Sequence, residues 1–333
     1  MSDRGLFLRW VFVTTVLALA ASGAEPRSPQ DIISRLKEFQ RSLGIPETGN
    51  FQGRSEARQA HFRCYYTGKL ELPESYNDLR FTEGTASGCM LDEEKYDVFF
   101  YPVEAVADGA ATVTAALAEA PAERQAVVVA HEDFHEMLHR LPEHLAEAAT
   151  TLAGFVTAAE FARKTAGESS DLHRALAGEA ELFLRKASVV NPFHQRLREV
   201  YERVRRGELS ANEALALKAE VFRELERECT AVTPEPRTFN RCPAALNNAG
   251  LAFDYTYTKH YPVFHELFDA FGRDVRRMVE AILTLASRRV SEREVLHDLK
   301  RMLRGARSDR AADSPSWYGD LYVESLAPVV PLQ

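Results

Sequence analysis

Residues 127–152 read VVVAHEDFHEMLHRLPEHLAEAATTL, and the fold of the chain turns on how they are taken. Four of the chain's ten histidines fall here, interleaved with five acidic residues. The run that opens near Pro121 reads as a helix stopping before Pro142. Residues 143–165 read as a second helix that runs back past the first. His131 and His135 are four apart, so their imidazoles share one helix face about one turn apart. Two ring nitrogens on that face can converge on one Zn²⁺. Glu132 sits beside them, where it can deprotonate a metal-bound water whose pKa falls to about 7. HEDFH is therefore an HExxH match. The flanking valines and Phe134 would bury it, and two histidines and a glutamate buried on an apolar helix are otherwise costly.

A catalytic zinc needs a third protein ligand and an open position. His139, Glu143, His144 and Glu147 are the candidates. His139 continues the row of His131 and His135, but three ligands spread over two turns reach one ion poorly. No glycine follows His135 to turn the chain back. Glu143 and His144 sit at a helix start, where polar residues cost little and Glu143 complements the helix dipole. Glu147 lies one turn further in, among small and apolar residues, and a lone carboxylate in that setting calls for a cation. The expectation is a Zn²⁺ cofactor held by His131, His135 and Glu147, with Glu132 as general base. The competing reading of the stretch is a charged surface helix followed by an amphipathic one.

Moving outward, the rest of the 333-residue chain supports a mostly helical protein. At 45% hydrophobic content it can bury a sizeable core. Residues 31–43 place Ile32, Leu36, Phe39 and Leu43 on one stripe and predict an amphipathic helix. Residues 64–105 are rich in Tyr, Phe and Val between turn residues and predict two to four strands. From about 121 onward helix follows helix: 171–190, then a helix with Pro192 in its first turn, then one opened by a capping box from Ser210 to Glu213. A further capping box runs from Ser291 to Glu294. A small strand layer followed by helices gives α+β, predominantly α-helical. The expected regions are 1–24, 25–120, 121–305 and an irregular tail at 306–333.

Residues 1–24 carry Arg4 and Arg9, an apolar run too short to span a bilayer comfortably, and small residues ending at Ala24. They read as a secretory signal peptide, with an uncleaved anchor as the alternative. The expected compartment is periplasmic or secreted, without stable membrane insertion after cleavage. Four cysteines fit that: Cys64 with Cys89 and Cys229 with Cys242 are the expected disulfides, chosen as nearest neighbours among three pairings. The net charge is −8 and no basic block stands out, which argues against nucleic acid as a partner.

An HExxH followed by a glutamate on the next helix resembles the gluzincin arrangement of zinc peptidases. Glu147-Ala148-Ala149-Thr150, close behind HEDFH, is similar to the ExxAT-like segment of a bacterial family of predicted aminopeptidases, with Ala146 where that family has Asn. Residues 192–226 resemble its helical hairpin, with Tyr201 and Lys218 in place. LNNAGLAFDYTYTKHYPVFHELFDAFGRDV (246–275) is similar to a further segment, matching at Asn247, Asn248, Ala249, Thr256, Tyr257, Pro262 and Phe264. The resemblance covers about 120–278. It implies a zincin-like core with a C-terminal helical bundle, and an aminopeptidase-like zinc peptidase acting on a peptide substrate. Tyr257 would donate to the oxyanion, with Tyr255, His260 and Tyr261 as alternatives. Asn247 and Asn248 would bind substrate, unless they merely cap a helix or make a turn. His173, His194, His265 and His297 read as ordinary surface or interhelix histidines, and Glu179 and Glu181 as a solvated face. KEFQRSLGIPETGNF (37–51) is similar to a stretch of a peptidoglycan-binding module, over too few residues for that domain. Two other functions stay open: a zinc amidase acting on cell-wall peptides, and a helical binding protein without chemistry.

Overall fold

A computed structural model describes residues 29–106, 109–232, 241–287 and 291–313; the expected leader at 1–24 lies outside these. Helix α1 (Pro29–Ser42) comes first. Then follow β1 (His61–Gly68), a single 3₁₀ turn at Tyr76–Asp78, β2 (Arg80–Glu83) and β3 (Tyr96–Val103). The remainder is helical: α2 (Ala115–Glu119), α3 (Ala122–Leu138), α4 (Glu143–Ala166), α5 (Asp171–Leu176), α6 (Glu179–Arg205), α7 (Ala211–Val232), α8 (Asn248–Thr258), α9 (Tyr261–Ala270), α10 (Val275–Ala286) and α11 (Glu292–Asp313). The class is α+β and predominantly helical, as the sequence implies.

Helix α4 is the axis of the molecule. Every residue from His144 to Ala158 is buried, the pattern of a helix packed on all sides. It doubles back along α3 after Pro142, which cannot continue a helix through its own nitrogen. Gly154 sets how close the two helices come. A Cβ there would lie 3.3 Å from the Cβ of His131. Gly154 is seven residues from Glu147, hence two turns along the same face. The apposition that the glycine permits therefore carries Glu147 toward the histidines.

Helix α1 and the loop after it brace α3 from the other side. Ile32, Ile33, Leu36, Leu43, Ile45 and Phe51 join the same core as α3 and α4. Lys37 Nζ donates to Asp133 Oδ1 at 3.0 Å, inside the HEDFH run. Thr48 Oγ1 donates to the same carboxylate, and Asn50 Nδ2 to the Glu132 carbonyl at 3.4 Å. The stretch that resembles a peptidoglycan-binding module is thus spent on holding the HExxH helix.

The sheet is antiparallel, in the order β2–β1–β3, with Cys64 opposite Thr82 and Phe100. It packs on α8 through an aromatic cluster centred on Phe253, whose ring lies 4.8 Å from Phe99, 4.9 Å from Tyr101 and 5.3 Å from Tyr257. Both expected disulfides are formed, Cys64–Cys89 and Cys229–Cys242. Both capping boxes are closed: Ser210 and Ser291 each receive the glutamate three residues on.

Two expected boundaries are corrected. The helix expected over 171–190 breaks at Ala177 and Gly178, and α6 then runs unbroken through Pro192. The neighbours of Pro192 decide this. Phe193 and Val190 are buried, and the Asn191 side chain donates to the Thr258 carbonyl at 2.9 Å and accepts from Thr258 Oγ1 at 2.8 Å. That tertiary anchoring outweighs the interior proline, which costs about 3 kcal/mol in an isolated helix. The irregular tail expected over 306–333 is helical in its first part, since α11 continues to Asp313, and the rest of it lies outside the described residues.

Candidate metal and catalytic site

His131, His135 and Glu147 are brought to one point. His135 Nε2 stands 2.9 Å from His131 Nε2 and 3.0 Å from Glu147 Oε2, and the third side of the triangle is 3.6 Å. The donor set fits a zinc ion. Ligand atoms about 2.0–2.2 Å from a tetrahedral ion stand about 3.3–3.6 Å apart, near the separations here. Two imidazoles and one carboxylate also match the ligand preferences of zinc.

The electrostatics point the same way. Burial by itself would raise the pKa of Glu147, but His135 and His131 outweigh it and hold the carboxyl below its usual range. Burial would depress His135, yet the charge and hydrogen bond of Glu147 lift it to about 9. The three side chains thus favour positive charge on the histidines against the Glu147 carboxylate, the arrangement in which a dication on the same three atoms would take the place of the proton.

Glu147 is also held from outside. Tyr76 Oη donates to Glu147 Oε1 at 2.7 Å, leaving Oε2 for the histidines. Tyr76 is itself positioned by its backbone N–H on Thr256 Oγ1 at 2.9 Å. Thr150 Oγ1 lies 3.4 Å from His135 Nε2. Tyr76 carries no motif. It lies in the Tyr-rich segment that reads only as strand and turn.

The other candidate ligands are elsewhere. His139 is exposed, bonded to the Glu136 carbonyl at 2.8 Å. His144 faces α8, its Nδ1 3.3 Å from the Thr256 carbonyl. Glu143 stays at the start of α4 beside Ser75 and Asn77. Among the described residues one other group could converge on a cation, Glu181, His265 and Asp269. Arg273 already bonds both of its carboxylates, at 2.5 and 2.8 Å.

Glu132 and Tyr257 line the same cleft of about 520 Å³ as His131, His135 and Glu147. The Tyr257 ring lies 6.3 Å from that of His131, and burial, reinforced by Glu147, keeps its phenol protonated far above the usual range. Burial also raises the Glu132 carboxyl, against the pull of the two histidines. The alternatives to Tyr257 are engaged elsewhere. Tyr255 stacks on His194 at 3.6 Å, His260 bonds Glu292 at 2.8 Å, and Tyr261 donates to the Ala180 carbonyl at 3.0 Å.

Asn247 and Asn248 take the capping and buried structural contacts that are the alternative to substrate binding. Asn247 caps α8, accepting from Gly250 N at 3.0 Å and donating to the Val98 carbonyl at 2.8 Å. Asn248 is fully buried and donates to backbone carbonyls of 69 and 71 while accepting from Tyr201 Oη at 2.9 Å. Asp97 accepts from the Asn248 N–H at 2.9 Å and from Lys218 Nζ. The motif residues Tyr201, Lys218 and Asn248 therefore form one buried polar network that locks the α6–α7 hairpin to the sheet.

A family model described as "Putative aminopeptidase" matches residues 91–296, well over half the chain. The match spans the HExxH helix, Glu147 and α8. No curated protein and no solved structure matches the chain.

Proposed function

The chain belongs to that aminopeptidase-like family, and we propose that it is an exported, zinc-dependent peptidase. The observation that carries this reading is the triangle of His131 Nε2, His135 Nε2 and Glu147 Oε2 beside Glu132 on one open cleft. His131, His135 and Glu147 would hold the metal. Zinc, when bound there, supplies a Lewis acid that polarises water and a peptide carbonyl.

The protein's own groups do the rest. Glu132 takes a proton from the attacking water and returns it to the leaving amine. Tyr257, protonated on the opposite wall, donates to the oxyanion that develops on the carbonyl oxygen. Tyr76 keeps Glu147 aimed with one oxygen at the histidines. Two disulfides fit folding outside the reducing cytosol. No described helix is long and apolar enough to cross a membrane. The cell-wall amidase reading rests only on the similarity of residues 37–51, whose Lys37, Thr48 and Asn50 bond to α3.

The test is metal analysis paired with peptide hydrolysis. Glu132→Gln should keep about one zinc per chain and lose hydrolysis by ~100-fold or more; His135→Ala should lose the metal. Full hydrolysis by Glu132→Gln would end the mechanism. Peptides with free and blocked N-termini separate exopeptidase from endopeptidase action.

A further inference from the structure

A second cavity, of about 380 Å³, opens beside the cleft and shares Tyr101, His131, Glu132, Phe253 and Tyr257 with it. It is the size of a small ligand site, and it reaches away from the metal ligands into the helical body. Val127, Val128, Phe155 and Phe183 make its apolar walls. Phe155 and Phe183 pack against each other with their rings tilted, 5.6 Å between centroids.

Charged groups line it too; among them Lys186 and Asp254 pair with each other, as do Arg124 and Glu104, while Arg241 is exposed and Glu132 faces the cleft. Lys186 Nζ lies 2.7 Å from Asp254 Oδ1, both side chains 5% exposed. The other Asp254 oxygen accepts from the Ala244 N–H at 2.6 Å. Arg124 lies 2.7 Å from Glu104. A charged substrate group buried against those two pairs, between Val127, Val128, Phe155 and Phe183, would lose its water and gain no free counterion there, which is unfavourable. An apolar ring would instead displace water from aromatic and aliphatic walls. A methyl group would leave most of the space unfilled.

We infer that this cavity is the specificity pocket, taking the side chain of the substrate residue beside the scissile bond, and that this side chain is large and apolar, an aromatic ring above all. The assignment rests on the peptidase reading, since Glu132 is what places the cavity beside the reacting bond. Val128 and Ala244 both line the cavity, so a larger side chain at either would take up part of its volume.

The experiment uses the full chain loaded with zinc and matched peptides carrying Phe, Ala, Lys or Asp on each side of the cleaved bond. Phe at one of the two positions should raise kcat/KM by roughly 30-fold or more over Ala and over Lys. Calorimetric titration of the Glu132→Gln protein with the same peptides should show the same order in Kd, independently of turnover. Val128→Phe, or Ala244→Phe should the first variant fail to fold, should reverse the order in favour of Ala. Cleavage with a flat profile, or a profile unchanged in the folded variants, would overturn the pocket assignment alone. No cleavage of any peptide by zinc-loaded wild type would overturn the peptidase reading and the assignment with it.

Discussion

Glu147 shows how far a single residue can be read. Its carboxylate stands on a helix of small and apolar neighbours, and burial of that kind is tolerated only against a partner. The partners are His135 at 3.0 Å and Tyr76 at 2.7 Å. The histidine is legible from spacing. The tyrosine is not, because it reaches Glu147 across 71 positions of sequence, from a turn that nothing local marks. Tyr76→Phe keeps the ring that packs 5.8 Å from Phe253 and removes only the donor. Zinc affinity, measured by competition with a chromophoric chelator, should fall about tenfold, as for other outer partners of metal ligands. An unchanged affinity would show that Tyr76 does not orient Glu147.

At the scale of the element, α6 is instructive. Pro192 places its start wrongly, because local preference is weaker than the packing of its buried face; the true start is at Gly178. That face also buries His194, which is fully enclosed, stacked on Tyr255 and bonded through Nε2 to the Pro73 carbonyl at 3.2 Å. Burial pushes its pKa down to about 4. An unfolded histidine titrates near ~6.5. Between those values the unfolded chain binds a proton that the folded chain does not, so stability falls as pH drops from about 6.5 toward 4 and is regained on raising it. Urea denaturation at pH 4.5 and 7 should show this drop shrinking by roughly 2 to 3 kcal/mol in His194→Gln. Equal drops in both proteins would mean that the imidazole is not held neutral.

For the molecule as a whole, the strand layer is joined to the helical body both by the aromatic cluster around Phe253 and by buried polar contacts. Lys218 and Asn248 meet on Asp97 of β3, and within the helical body Lys37 of α1 meets Asp133 of α3. The two disulfides close loops with separations of 25 and 13 residues, for about 3 kcal/mol each in the chain-entropy model. Thermal melts with and without a thiol reductant should therefore differ clearly, while zinc content stays constant, since neither bridge includes a metal ligand. Loss of zinc on reduction would place the bridges in the support of the site.

Much of this protein follows from local chemistry. The HExxH spacing, the capping boxes at Ser210 and Ser291, the aromatic strands and the nearest-neighbour disulfides each depend on residues close together in the chain, where geometry is set by turn and helix period. What the tertiary structure decided are the matters that depend on distant groups. Tyr76 reaches Glu147. Asn248 goes to Asp97, Tyr201 and the backbone. α6 passes through Pro192, and Gly154 lets α4 close on His131. In each case a buried polar or apolar group had several possible partners along the sequence, and only the packed core determined which one lay within reach.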